Sequence, residues 1–350
     1  MNQPNNLMGQ ETNQTPGLIK DQLKKNQKII EHITNHIKQK KPLAAMTIAR
    51  GSSDHAASFA KYLIETQLGL ITSSSAPSIN TVYNSKLNLN NMLVIGISQS
   101  GKSPDICHVM AEAKKQGAVT IAIVNETNSP LADAAEFVIP LHAGPEKAVA
   151  ATKSYMCTLS ALLQFIAIYK NDNNLLSALD ILPTQLEQTL KSDWSGAISE
   201  LKDSTNMFVI ARGTAYPIAQ EAALKLKETS CIQAEPFSSA EVLHGPFALI
   251  KPNFPALIFI QNDQTKDENI KLAEKITSLG ANTIIVYPEN IKISNKNIAK
   301  THLILPKSIN PLTDSIMIII AFYKMANTLA ISRGFDPDSP ENLKKVTETK

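Results

Sequence analysis

The chain has 350 residues, 43% of them hydrophobic and 19% charged, with a net charge of +3. That is apolar content for a globular protein of two domains, and the mixed charges leave no nucleic-acid footprint. Three cysteines, Cys107, Cys157 and Cys231, without ligand or redox spacing point to buried thiols in a reducing compartment, and hence to a cytoplasmic protein.

The first residues, rich in Asn and Gln, predict a loose arm, and the polar stretch 1–17 lacks the apolar core of a signal peptide. Leu23, Ile30, Ile33 and Ile37 fall at helical spacing, so residues 17–40 should hold an amphipathic helix. Met46 to Ala49 reads as a strand, broken by Arg50, Gly51, Ser52 and Ser53 before a helix through Glu65. Met92 to Ile97 is a short apolar run expected to be a buried strand. Pro104 suits the first position of a helix ending near Gly117. Further strands are expected at Ala118 to Val124 and Phe137 to Ile139, and a helix at 150–170. A polar break at Asn171 to Asn174 precedes helices running to about Ser204. Strands alternating with helices at these lengths mean a parallel sheet covered on both faces, an α/β fold. The apolar run Ile316 to Ile331 contains Lys324 and Asn327 and is too short to span a bilayer comfortably, so no membrane role is expected.

The stretch around which the chain is organised joins the strand at Met92 to Pro104 through Ser98, Gln99, Ser100, Gly101, Lys102 and Ser103. Unpaired backbone N–H groups, the positive end of a helix dipole and several hydroxyls converge there, a combination suited to phosphate. Two readings compete. Gly96 through Gly101, Lys102 and Ser103 satisfies the nucleotide P-loop pattern. That pattern also wants a later strand ending in Asp, whereas Thr120 to Val124 runs into Asn125 and Glu126. The hydroxyls instead fit a phosphomonoester on a small molecule.

The second half repeats the first. Met46-Thr-Ile-Ala-Arg-Gly-Ser52 returns as Met207-Phe-Val-Ile-Ala-Arg-Gly-Thr214, and Gly117-Ala-Val-Thr-Ile121 returns as Gly280-Ala-Asn-Thr-Ile284. The two offsets agree to within one residue, which predicts a duplicated α/β domain. The copy of the phosphate loop is Gln261, Asn262 and Asp263, where an acid would repel phosphate. One phosphate site per chain is therefore expected, in the first lobe. The second lobe carries Glu221, Lys225 and Glu228 on one helix face, then His244 before Gly245 and Pro246. Spacing alone favours a solvated charge face with an i, i+4 pair. Placement beyond the carboxyl end of a strand favours a ligand site.

Four ordered motifs identify a family. Tyr216 to Glu228 with His244 to Ile250, Ser98 to Ser103, Ala143 to Lys153 and Pro340 to Lys345 together resemble the sugar isomerase (SIS) half of glutamine–fructose-6-phosphate amidotransferase. The resemblance covers the chain from about Gly17. It implies two tandem SIS domains, each a parallel sheet flanked by helices in the flavodoxin-like or Rossmann-like manner. The expected boundaries are an amino-terminal arm and helix 1–40, a first domain 41–170, a helical connector 171–204, a second domain 205–335 and a closing tail 336–350. The Walker-like string becomes a coincidence, because the family position of Lys102 is commonly acidic.

The resemblance also implies roles. Ser98, Gln99, Ser100 and Ser103, with Ser52 and Ser53, would bind a sugar phosphate. Glu228 would move a proton between C1 and C2, and Lys225 would stabilise the developing oxyanion. His244 would open the sugar ring, reaching the site from the other subunit of a homodimer with shared active sites. Lys345 would form an imine with the open ketose. Val149 and Ala151 would line the sugar pocket, Ala151 replacing a family serine, and Arg50 stands where the family usually has Cys. No cofactor and no metal are called for. Nothing in the chain matches the catalytic amino-terminal Cys or the glutaminase domain of the synthases. The expected reaction is therefore deamination of glucosamine 6-phosphate to fructose 6-phosphate and ammonia. The alternatives are a deglycase for amino-acid-linked sugar phosphates, a synthase subunit fed by a separate glutaminase, and a non-catalytic sugar-phosphate sensor.

Overall fold

The apolar runs of the two repeats form two parallel five-stranded sheets in the computed structural model, which describes residues 6–345. The chain divides into two units. One comprises residues 17–146, 153–180 and 344–345, and the other residues 6–16, 147–152 and 181–343. In chain order, α1 (Leu7–Lys40) and β1 (Ala44–Ile48) precede α2 (Ser52–Leu63), β2 (Thr72–Ser74), α3 (Ser78–Thr81), β3 (Met92–Ser98) and α4 (Pro104–Lys115). Then come β4 (Val119–Val124), α5 (Pro130–Ala134), β5 (Phe137–Pro140), α6 (Lys153–Lys170), α7 (Asn173–Thr189) and α8 (Ser195–Leu201). The second sheet follows with β6 (Asn206–Ala211), α9 (Tyr216–Ser230), β7 (Gln233–Ser238), β8 (Pro255–Phe259), α10 (Lys266–Ser278), β9 (Asn282–Pro288), β10 (Thr301–Leu305) and α11 (Pro311–Ser332).

The first sheet has the order β2-β1-β3-β4-β5 and the second, taken from its other edge, β7-β6-β8-β9-β10. In repeat-relative terms these are the same flavodoxin-like order. Each therefore has its switch point between the first and third strands, where open α/β sheets hold ligands beyond the strands' carboxyl ends. Every residue of β4 is buried, as a central strand covered on both faces requires. Backbone conformation repeats too. Gly51 and Gly213 turn out of β1 and β6 with φ of 55° and 62°, and Gly117 and Gly280 enter β4 and β9 with φ of 85° and 82°. These left-handed values are where glycine costs least.

Three expectations need correction. Residues 7–16 are not a loose arm, because α1 begins at Leu7. The carboxylate of Asp338 accepts from the backbone N–H groups of Leu7 and Met8, each at 2.7 Å, and so caps the helix with a negative charge. That partner lies more than three hundred residues away, beyond any local reading. The break after α6 shrinks to Asn171 and Asp172. Asn171 is left-handed at φ 55°, and Asp172 caps α7 by accepting from the Leu175 N–H at 3.0 Å. Finally, α11 has 22 residues and is long and apolar enough to cross a bilayer, but 78% of its most apolar window is buried inside the protein. Its burial is that of a core helix.

Candidate active site

In the first sheet's unit, β3 ends at Ser98, whose Oγ accepts from the Gly101 N–H at 3.0 Å and closes a tight turn. Gly101 has φ 64°, and a Cβ placed there would lie 2.2 Å from Ser129 Oγ, so only glycine fits. The Gln99 carbonyl accepts from the N–H groups of Asn125 and Glu126 at 3.3 and 3.2 Å, which pins the turn to the end of β4. Ser103 sits at the N-cap of α4 in extended conformation without capping the helix through its side chain. Gln99, Ser100 and Ser103 are half-buried, and Lys102 is exposed. Across the switch point, Ser52 and Ser53 form the first turn of α2. The guanidinium of Arg50 is 2.8 Å from the buried Asp105 carboxylate in the first turn of α4 and ties the two loops together. The structure thus brings Ser52, Ser53, Ser98, Gln99, Ser100 and Ser103 to the end of β3 and two helix N-termini, where the ends of helix dipoles favour an anion.

The corresponding turn of the second sheet is filled by the protein's own groups. Gln261 is buried. Its Oε1 accepts from Thr214 Oγ1 at 2.9 Å, and its Nε2 donates to the Pro311 carbonyl at 2.9 Å and to Ser315 Oγ at 2.8 Å. Asp263 accepts from the N–H and hydroxyl of Thr265 at 2.8 and 2.7 Å. Asp314, in the first turn of α11, accepts from the Asn262 N–H at 3.1 Å, and burial pushes its carboxyl up to about 7. Two acids and a glutamine already bonded within the protein suit this turn poorly to phosphate.

On α9 the face of Glu221, Lys225 and Glu228 is not the solvated charge face that spacing favours. Glu221 and Lys225 side chains are 0% and 1% exposed, and Glu228 is 21% exposed. α9 packs against α11 and the sheet, which carries these groups out of water. Lys225 Nζ lies 2.5 Å from Glu228 Oε2 and 3.4 Å from Glu221 Oε1. Burial on its own would lower the Lys225 pKa, but the two carboxylates outweigh it and hold the ammonium above its usual range. Glu228 faces a cavity of about 640 Å³ walled by Leu224, Lys227, Cys231, Phe335 and the tail segment 339–343. The Val149 N–H donates to the Asp338 carbonyl at 3.0 Å, so the half-buried Val149 and Ala151 belong to a segment held by that same tail.

His244 is not brought to this cavity within the chain. It follows a short 3-10 turn, Glu241–Leu243, and is exposed, with Gly245 beside it at φ 122°. Its neighbours Leu243 and Leu249 are 45% and 54% exposed. Of the paired tail lysines, Lys344 is exposed, whereas Lys345 Nζ lies 3.4 Å from Glu146 Oε2 in the first sheet's unit. Glu146 is buried and also accepts from the Ser154 N–H at 3.1 Å and its hydroxyl at 2.6 Å. Sequence reasoning gave Glu146, Asp105 and Tyr323 no task. The signal was available in Tyr323, a hydroxyl inside an apolar helix, and in Glu146, an acid in a stretch of small residues and proline.

The SIS domain family matches residues 36–168 and 200–329. Glutamine–fructose-6-phosphate aminotransferase (isomerizing) of Aquifex aeolicus is 32% identical over 313 residues, covering 86% of this chain and 51% of that protein. The chain spans about half the length of the curated relatives it matches. The solved structure of a candidate phosphosugar isomerase from Silicibacter pomeroyi superposes with a TM-score of 0.87 at 34% identity, covering 95% of this chain and 99% of that one. The C-terminal domain of glucosamine-fructose-6-phosphate aminotransferase from Francisella tularensis gives 0.86 at 25% identity, covering 96% and 99%. Two matched segments, one per sheet, and a relative of this closeness along its whole length place the chain in the SIS domain family.

Proposed function

We propose that the protein is an aminosugar-phosphate isomerase of the deaminating type, converting glucosamine 6-phosphate and water to fructose 6-phosphate and ammonia. The observation that carries this reading is Glu228, at the wall of a cavity large enough for a hexose phosphate and 2.5 Å from the ammonium of the buried Lys225 behind it. A carboxylate gripped by an ammonium beside a cavity suits proton transfer next to a carbonyl, and Lys225 can stabilise the oxygen that gains negative charge. The serine turn after β3 would hold the phosphate. His244 would assist ring opening to the aldehyde. Glu228 would then take the C2 proton to give an enolamine. Reprotonation at C1 gives an imine at C2, which water hydrolyses to the ketone with loss of ammonia. One positioned acid–base group of this kind contributes on the order of 10²–10⁴ in rate. Lys345 would act on the open ketose through an imine, and its link to Glu146 keeps the tail lysine in place meanwhile. Water is abundant and free ammonia scarce, which favours loss over gain. The match to aminotransferase relatives favours the opposite direction, ammonia-dependent synthesis, over the same intermediates.

The direct test is ammonia release from a panel of 2-amino-sugar 6-phosphates without glutamine, in the presence of a chelator. Release from glucosamine 6-phosphate at an unchanged rate is expected. Turnover confined to a fructose phosphate linked to an amino acid would move the protein to the deglycases. Turnover only from fructose 6-phosphate with added ammonia would make it a synthase subunit, and binding without turnover a sensor.

The phosphate turn gives a second expectation. Ser100→Ala and Ser103→Ala should each raise KM by weakening a hydrogen bond to a charged group, at a cost of about 1.5–3 kcal/mol. Lys102→Ala should matter little because its side chain is exposed. Loss of activity in Lys102→Ala, with binding of ATP and magnesium by the native protein, would restore the P-loop reading.

A further inference from the structure

Two buried polar groups touch the proposed base indirectly and have so far been given no task. Tyr323, on α11, is fully buried, and its hydroxyl donates to Glu221 Oε1 at 2.9 Å. That same oxygen lies 3.4 Å from Lys225 Nζ, which lies 2.5 Å from Glu228 Oε2. A phenol in the core is thus joined to the cavity carboxylate through one carboxylate and one ammonium. Packing alone would be served by phenylalanine at position 323, as it is by Phe322 next to it. A buried phenolic O–H needs a partner, and this one donates to a charged member of the line.

We propose that Tyr323 is a positioning residue for proton transfer: by donating to Glu221 it fixes where that carboxylate holds Lys225, and so how Lys225 holds Glu228. The inference rests on Glu228 being the base. With all three groups ionised, Glu221, Lys225 and Glu228 carry one net negative charge. When Glu228 accepts the C2 proton the net charge becomes zero, and Glu221 and Lys225 remain as a neutral pair. Glu221 is therefore the counter-ion that lets Lys225 stay protonated in the interior while its hold on Glu228 relaxes. The Tyr323 donor keeps the Glu221 oxygen in line between the phenol and the ammonium. Tyr323 is not among the residues walling the cavity, so its effect should fall on the chemical step and leave substrate binding alone.

The test is steady-state kinetics of Tyr323→Phe on the full chain with glucosamine 6-phosphate. Losing a donor to a charged group should lower kcat roughly tenfold and leave KM within about twofold. Substrate deuterated at C2 should then show a larger isotope effect on kcat than with the native protein. Glu221→Gln, which keeps the tyrosine, should show the same loss confined to kcat. The double variant should be no slower than Glu221→Gln alone, because Tyr323 acts through Glu221. Native kcat in Tyr323→Phe, equal changes in KM and kcat, or additive losses in the double variant would each overturn the inference. Glu228→Gln serves as the control. If it keeps native turnover, the reading of Glu228 fails; if it is inactive while Tyr323→Phe is normal, only the role of Tyr323 fails.

Discussion

Replacing Lys225 by Met should destabilise the protein by about 3–5 kcal/mol, the usual consequence of removing one partner from a buried ion pair. Glu221 is fully buried, and the substitution removes an ammonium 3.4 Å from its carboxylate, while Glu228 loses a contact of 2.5 Å. Methionine matches the lysine stem in length, so packing is nearly kept and the lost charge dominates. The sign with pH can be stated. The folded-state pKa of Lys225 is raised, so its contribution is fully present below its unfolded value and is lost as pH rises through the folded one. The penalty measured by urea unfolding should therefore be constant through neutral pH and narrow only in strong alkali. A Lys225→Met variant as stable as the native protein at pH 7 would mean that the charges on α9 do not hold one another.

A mixture of two inactive variants should regain activity. Glu228→Gln and His244→Ala are each expected to be nearly inactive alone. The cavity beside Glu228 is not lined by His244, and the His244 loop is exposed together with Leu243 and Leu249, an apolar edge suited to a second copy of the chain. In the homodimer that the family resemblance implies, each site would take Glu228 from one subunit and His244 from its partner. When the variants are unfolded, mixed and refolded, about half the dimers should be mixed by random pairing, each with one intact site. Activity should recover to roughly a quarter of native. If both residues served a site within one chain, every site in the mixture would be damaged. No recovery, with mixed dimers verified by mass, would sink the shared-site arrangement.

Local and periodic features were open to sequence reading. The strand at Met92, the helix start at Pro104 and the duplication are all carried by residues close together in the chain or by a repeated pattern. The matched positive φ values of Gly51 and Gly213, and of Gly117 and Gly280, show the repeat persisting in the backbone. What spacing could not supply was burial. Glu221, Lys225 and Glu228 have the same periodicity on a wet helix as on a dry one, and only the packing of α11 over α9 decides between them. Contacts across long sequence separations were equally hidden. Asp338 capping α1, Lys345 on Glu146 and Arg50 on Asp105 each depend on the fold to bring together groups that no local window contains. The tail illustrates the gain. Two adjacent lysines are indistinguishable by motif to within one position, yet only Lys345 is paired with a buried carboxylate.

The central claim is that Glu228 carries the C2 proton of an aminosugar phosphate to C1. It is tested most directly by following the label from C2-deuterated glucosamine 6-phosphate by proton NMR, in native protein and in Glu228→Gln. The account predicts ammonia release with part of the deuterium appearing at C1 of fructose 6-phosphate. It also predicts a rate in Glu228→Gln lower by on the order of 10²–10⁴. Native-level turnover in Glu228→Gln, or ammonia release with the deuterium retained at C2, would contradict it.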